Sequence, residues 1–294
     1  MDYLLRNDKP TSDMEDTFMI GRYEIVSEVR TESDQGLIET VYKARDPHVN
    51  RLSMLRAARF LNGCADRKAR EIRGRYLREG AVTRRLSHKG IVSVFDVAEE
   101  GDTIYLAMEW LRGESLERYC KKGKLLPLHP LLHIAAETAD ALDYIHTNGV
   151  VHRNLKPTNV MLPRDGAVKI TGFGLAQMRT DPRPKIRTLL GTPNYMSPEQ
   201  AMGLPTDGRS DIFSLGVILF RLLTGEQPFR GRGLRSLLYQ IVRKRHPAVS
   251  SFDRKIPPLV ARIVDKALVK NPDRRYQTAR EVAEDIRLAK KRVG

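Results

Sequence analysis

Hydrophobic and polar positions change rhythm along the chain in a way that separates a strand-rich first part from a helical remainder. The first twenty residues mix charges, Thr, Ser and Pro10 with no period, which predicts a mobile tail over residues 1–20. From Tyr23 the pattern turns to strands. Tyr23-Glu24-Ile25-Val26 alternates, and Thr40 to Ala44 is rich in strand-favouring side chains. Ile91 to Val97 and Thr103 to Met108 predict two further strands, joined by Glu99-Glu100-Gly101-Asp102. Beyond residue 130 the period lengthens. Leu131 to His146 carries inward positions at 131, 134, 135, 138, 142 and 145, a helix with Gly149 as its C-cap. Ser210 to Leu223 predicts a buried helix begun by Ser210 and closed by Thr224-Gly225. Leu234 to Lys244, Pro258 to Leu268 and Thr278 to Lys290 read as amphipathic helices.

Composition narrows the class without changing these elements. At 294 residues and 41% hydrophobic side chains, the chain can bury a full core. Cys64 and Cys120 lie far apart, with no CxxC and no His at ligand spacing, so neither a disulfide framework nor a zinc site is expected. The longest mostly apolar run, Ile212 to Leu223, falls short of the roughly 20 residues a bilayer span needs. The start, Met1-Asp2-Tyr3-Leu4-Leu5-Arg6, lacks the pattern of a signal peptide, and the expectation is a cytoplasmic chain without a membrane segment.

Charge adds a preference for partners. The formal net charge is +15, with basic clusters at Arg67 to Arg78, Arg179 to Arg187, Arg243-Lys244-Arg245 and Lys290-Lys291-Arg292. Such a surface favours acidic partners. No nucleic-acid module signature accompanies the clusters, so a protein partner is expected instead.

Five motifs follow one another in a fixed order. They are His152-Arg153-Asn154-Leu155-Lys156-Pro157-Thr158-Asn159, then Gly172-Phe173-Gly174, then Gly191-Thr192-Pro193-Asn194-Tyr195-Met196-Ser197-Pro198-Glu199, then Ser210 to Gly216, then Asn271-Pro272-Asp273-Arg274-Arg275-Tyr276. Together they resemble the eukaryotic-like Ser/Thr protein kinases, in their bacterial branch, over about residues 22–288. The resemblance implies an α+β, two-lobed kinase-like fold. Residues 21–111 would form a small, mainly β N-lobe with its C-helix and hinge, and 112–290 a larger, mainly α C-lobe.

The same resemblance marks departures at the positions that carry phosphoryl transfer. Asn154 stands where the family has the Asp that accepts the substrate proton, and an amide cannot take up a proton near neutral pH. Gly172 stands where the metal-binding Asp of D-F-G belongs, leaving Asn159 as the remaining matched ligand. Arg56 replaces the phosphate-pairing Lys, with Glu79 as its expected partner in a pair able to be bidentate. The family's three loop glycines fall on Asp34, Gly36 and Glu39, within a connection running from Arg30 to Glu39. A carboxylate 4 Å from a phosphate repels it by about 1 kcal/mol in water and about 4 kcal/mol at an effective dielectric of 20. Met54 takes the place of the small residue over the adenine ring and is expected to fill that slot, with Met108 as gatekeeper.

Other positions match. Arg67 to Leu86 takes the place of the C-helix, with Ile72, Tyr76, Leu77 and Ala81 as its inward stripe. Lys156 matches the residue beside the transferred phosphate, and Arg153, Phe173, Glu199, Asp211 and Arg275 match positions that shape the lobe, Glu199 and Arg275 as a family ion pair that locks the activation segment to it. Thr180 and Thr188 are candidate phosphoacceptors in the activation segment.

The sequence therefore predicts a pseudokinase, a protein-binding or scaffolding module in bacterial Ser/Thr phospho-signalling. Its partner would be an acidic protein, a related kinase or that kinase's substrate. No cofactor is expected, with weak ATP binding in the absence of magnesium. Two alternatives stay open. One is a divergent kinase drawing on Lys156, Asn159 and a carboxylate such as Glu79 or Asp211 for metal. The other is a metal-independent nucleotide sensor with space beneath Met54.

Overall fold

The computed structural model describes residues 18–34, 36–62, 64–164, 166–178 and 193–293, and these divide into two compact units. One comprises the residues up to Ser87 together with Val92–Glu114. The other comprises His88–Ile91 and Ser115 onward.

The first unit is an antiparallel sheet with one long helix. Its strands are β1 (Met19–Ile20), β2 (Tyr23–Asp34), β3 (Leu37–Asp46), β4 (Arg51–Phe60), β5 (Val94–Glu100) and β6 (Thr103–Glu109). They pair in the order β1-β2-β3-β4-β6-β5. Hairpin connections suit antiparallel neighbours, and β6 lies between β4 and β5 because the chain leaves the sheet after β4 to form helix α1 (Asp66–Thr83). The expected tail over 1–20 is corrected at its end. Met19 and Ile20 pair with Glu24 and Tyr23, whereas residues 1–17 lie outside the described part.

Three further expectations change here. The connection expected over Arg30–Glu39 is almost entirely strand, since β2 and β3 stay in register down to Asp34 opposite Leu37. The chain reverses at Gly36, whose φ of +75° glycine adopts without strain. The strand expected from Ile91 starts only at Val94, and Ile91 instead bridges to Ile170 within the second unit. On α1, Ile72 and Tyr76 are buried as expected, but Leu77 is 53% exposed and Ala81 also faces out. Glu79 and Gly80 hold the inward face in their place. A side chain on Gly80 would start 2.6 Å from a Val97 methyl, so the glycine is what lets α1 lie close on β5.

The second unit is helical. Helix α2 (Leu128–Thr147) buries all six positions expected of it and ends at Asn148, with Gly149 turning the chain at φ +73°. Short strands β8 (Val150–Val151), β9 (Val160–Pro163), β10 (Lys169–Ile170) and β11 (Gln177–Met178) follow a strand β7 (Gly113–Ser115), within which the chain passes from the first unit to the second. Helices α3 (Pro198–Ala201), α4 (Gly208–Thr224), α5 (Leu234–Arg243), α6 (Pro258–Ala267) and α7 (Ala279–Val293) complete it. Helix α4 is buried almost throughout, and α2 packs along α7. Its N-cap is Asp207 rather than Ser210. The Asp207 carboxylate accepts the Arg209 N–H at 2.9 Å, while the Ser210 hydroxyl is engaged by Glu199.

Both cysteines are free thiols, and burial pushes the Cys120 thiol up to about 12. Among the described residues no helix is long and apolar enough to cross a membrane.

The two α1 glycines separate helix propensity from packing. Gly74 has open space around it, so Gly74→Ala should stabilise the protein by about 1 kcal/mol. Gly80→Ala should instead destabilise it, because overpacking of about 1–3 kcal/mol outweighs the propensity gain. Urea unfolding of both variants decides, and equal stabilisation by the two would mean that α1 does not press on β5.

Candidate functional site

In the second unit, residues 149–160 and 170–178 form two layers of loop held by short strand pairs. β9 pairs with β10 (Val160 opposite Ile170), and β8 pairs with β11 (Val151 opposite Gln177). Between the layers sits the His152 ring, 0% exposed. Its Nδ1 accepts the Asn154 N–H at 3.2 Å, which leaves the Nε2 hydrogen to be donated to the Thr171 carbonyl at 3.0 Å. The ring stands edge-on to Phe173, also fully buried, with centroids 4.7 Å apart. The Thr171 N–H donates to the Asn159 carbonyl at 2.9 Å, a second tie between the layers.

Asp211, on the first turn of α4, fixes the course of the 152–154 backbone. Its fully buried carboxylate accepts the N–H groups of His152 and Arg153, each at 2.8 Å, and the His146 Nε2–H at 2.8 Å. Burial pushes that carboxyl up, but the His146 contact and the His152 N–H outweigh it, so it stays below the usual carboxylate range. Arg153 adopts φ +62°, an unusual conformation for a non-glycine residue, and is held there by Asp211 on one side of the peptide. On the other, Gln200 donates its amide N–H to the Arg153 carbonyl at 2.9 Å.

A second buried ion pair lies next to it. Arg275 donates to Glu199 through two nitrogens, at 2.9 and 3.2 Å, and also to the carbonyls of Val269, Lys270 and Arg209. Glu199 further accepts the Ser210 hydroxyl at 2.7 Å. Burial raises the Glu199 carboxyl, yet Arg275 and Ser210 bring it below its ordinary value.

The positions of the expected chemistry sit on this frame. Asn154 follows Arg153 directly, and Lys156 precedes the turn Pro157–Asn159. The Asn159 amide donates to the Asn154 carbonyl at 2.9 Å. Its Nδ2, Cγ and Oδ1 lie 2.7, 2.8 and 2.9 Å from where a side chain on Gly172 would begin. Gly172 itself is left-handed, at φ +82°. The space belonging to a side chain at 172 is thus filled by the Asn159 amide. Magnesium favours several hard oxygens, usually with one or two carboxylates. Asn159 offers one amide oxygen and Gly172 none, so this donor set does not fit that ion. Among the described residues no cluster of three His, Cys, Asp or Glu side chains could hold a metal.

In the first unit Arg56 of β4 meets Glu79 of α1 through one contact, Nη2 to Oε2 at 2.6 Å. The bidentate fork considered from sequence does not form. Arg56 Nε and Glu79 Oε1 are buried without hydrogen-bond partners, and the guanidinium carbon lies 4.5 Å over the Tyr76 ring. The ring claims the face of the guanidinium, which turns its fork away from the carboxylate. Burial alone would lower the Arg56 guanidinium, but Glu79 beside it holds it raised. Met108 is 2% exposed and lies opposite Met54 in the β4–β6 register, and Met54 packs on the core beneath. Glu32 and Glu39 stand directly opposite each other on β2 and β3, and Glu39 accepts the Tyr76 hydroxyl at 3.3 Å.

Thr180, Thr188 and the basic stretch Arg179 to Arg187 lie outside the described residues. Two residues of the frame carry no role in the sequence reading. His146, the third donor to Asp211, has no local signal. Gln200 does have one, since Ser197-Pro198-Glu199-Gln200 is a capping-box pattern, and the box forms with Ser197 N–H to Gln200 Oε1 at 3.0 Å.

Comparison with known proteins places this arrangement in context. Residues 35–286 match the family model described as a protein kinase domain. The chain is 38% identical over 275 residues to a probable serine/threonine-protein kinase of Streptomyces coelicolor, covering 90% of this chain and 39% of that protein. It is 34% identical over 272 residues to the serine/threonine-protein kinase PrkC of Bacillus subtilis, covering 92% and 40%. It is 38% identical over 218 residues to the serine/threonine-protein kinase PknB of Mycobacterium leprae, covering 72% and 35%. The chain spans about two fifths of the length of the first two relatives and somewhat less of the third.

Two measurements test these contacts. Arg56→Met should cost about 3 kcal/mol by leaving Glu79 buried and unpaired, and adding Glu79→Leu should recover most of it. Equal losses in the single and double variants would remove the pair as the cause. Because Asp211 and Glu199 both have lowered values in the folded state, their contribution is complete above the unfolded values and lost as pH falls below about 4. Thermal unfolding should show that loss, and Asp211→Asn should be less stable at pH 7 and less sensitive to acid.

Proposed function

The chain belongs to the protein kinase family, and from that premise we propose that it is a pseudokinase, a protein-binding or scaffolding module in bacterial Ser/Thr phospho-signalling with little or no phosphotransferase activity. The observation that carries this reading is the Asn159 amide lying where a side chain on Gly172 would start, 2.7–2.9 Å away. The loop frame built on Asp211 and the Glu199–Arg275 pair is complete. Its two positions for carboxylates hold an amide and a glycine, Asn154 and Gly172. Loss of a general base alone slows a reaction by roughly 10²- to 10⁴-fold, and loss of the metal's partner adds to that.

The reading extends to ligands. ATP would bind weakly and without magnesium, consistent with two facing carboxylates, Glu32 and Glu39, on the β2–β3 hairpin and with Met54 packed on the core. The partner would be an acidic protein, a related kinase or its substrate, drawn to a chain of net charge +15.

A second reading, a divergent kinase with weak activity, draws support from the relatives, whose names describe serine/threonine-protein kinases, and from the 2.6 Å contact between Arg56 and Glu79. Thermal unfolding with ATP alone and with ATP plus magnesium or manganese, run beside a phosphotransfer assay, separates the two. A ligand at 100 times its Kd adds about 2.7 kcal/mol of stability. The pseudokinase predicts no metal-dependent shift and no transfer. A metal-dependent shift with transfer lost in Lys156→Ala would establish the divergent kinase. Gly172→Asp should also lower stability by about 1–2 kcal/mol, since it places a side chain at positive φ against Asn159. An undiminished melting temperature would mean that the Asn159 contact gives way freely.

A further inference from the structure

Far along the chain from these loops, the second unit holds a concavity of ≈ 640 Å³. It is formed by the last residue of α5, the stretch after it, one face of α6 and the residues following α6. Arg262 and Lys266 lie four apart on α6 and so share a face, and Arg243, Arg245 and Lys270 complete the cationic lining. Asp265 is the single carboxylate there, set 3.4 Å from the His246 Nε2. Five cations thus face one acid.

Three of the five cations are not consumed by structure. Among the described residues Arg243, Arg245 and Arg262 form no ion pair with a carboxylate, and all three are exposed. This sets them apart from the arginines of α7, where Arg280 and Arg287 pair with Asp143 and Asp140 of α2. Lys266 lies over the Tyr276 ring at 3.9 Å. Lys270 is held at the wall, donating to the Ile241 carbonyl at 2.5 Å with its ammonium 3.5 Å over the Phe229 ring. Burial, with Arg275 behind it, brings that ammonium down to about 7. Leu268 and Val269 supply apolar wall between the charges.

We propose that this concavity binds a phosphate monoester, its dianion taken by the guanidinium groups of Arg243, Arg245 and Arg262 and its organic body resting on Leu268 and Val269. Guanidinium forks match phosphate oxygens in pairs, and a monoester carries about −1.5 to −2 charges at neutral pH. The cations ring one concavity rather than lining a track, which suits a compact phosphorylated group and not a polymer backbone. The site is independent of the pseudokinase reading, since neither Asn154 nor Gly172 takes part in it.

Calorimetric titration of the full chain with phosphoserine, glucose 6-phosphate and inorganic phosphate at low ionic strength tests the assignment. The expected result is saturable 1:1 binding, with the esters several-fold tighter than inorganic phosphate. Arg245→Ala and Arg262→Ala should each weaken binding by about tenfold, the loss of one charge-assisted hydrogen bond. These residues are exposed, so melting temperatures should be unchanged. A control that removes one exposed charge elsewhere, Arg70→Ala on α1, should bind as the parent does. No saturable binding, inorganic phosphate binding as tightly as the esters, or equal weakening in the α1 control would each overturn the proposal.

Discussion

The second unit depends on one buried carboxylate receiving three N–H groups. Asp211 has no exposed surface, and a charge in that position is tolerable only because His146, His152 and Arg153 all donate to it. Two of those donors are consecutive backbone amides, so the contact dictates a path for the main chain rather than merely a side-chain position. Arg153 at φ +62° is the local expense of that path. His152 extends the same order to Thr171 and Phe173, so the backbone on both sides of Gly172 inherits its shape from a residue on α4.

The pattern of apolar positions revealed the elements better than their ends. α2 was legible in the centre of its buried face, where all six expected positions turn inward, while Leu132, Ala136, Ala139 and Ala141 widen that face beyond the stripe. α1 was legible only in part. Of its stripe Ile72, Tyr76, Leu77 and Ala81, the first two turn inward and the last two face out, because periodicity counts apolar residues and cannot foresee that Glu79 turns inward to meet Arg56 while Gly80 makes room for Val97. The cap of α4 failed for a related reason. Ser210 and Asp207 are both good N-caps, and the choice turns on a partner eleven residues upstream, Glu199, that takes the Ser210 hydroxyl.

For the candidate site, sequence spacing named the positions but not their contacts. Glu199 and Arg275 were readable as a pair because both stand in motifs, and they do meet. His146 was silent, since its proximity to Asp211 arises from α2 packing against α4 across a separation of 65 positions. Arg56 and Glu79 were foreseen as partners, yet the aromatic face of Tyr76 decides the orientation of the guanidinium and reduces the pair to one contact. Chemical type is written in the sequence, whereas the competition among neighbours for one group is settled only in three dimensions.

The contact between Asn159 and Gly172 also couples two positions of the loop. Two positions thirteen residues apart compete for one volume, so a side chain at 172 requires Asn159 to move. A substitution restoring an acidic side chain at 172 meets an occupied space unless Asn159 has already swung away, and Asn159 has a good hydrogen bond at Asn154 that keeps it in place. The geometry of the loop is therefore set by a trade between the two positions: the volume that a side chain at 172 would take is the volume that lets the Asn159 amide reach Asn154.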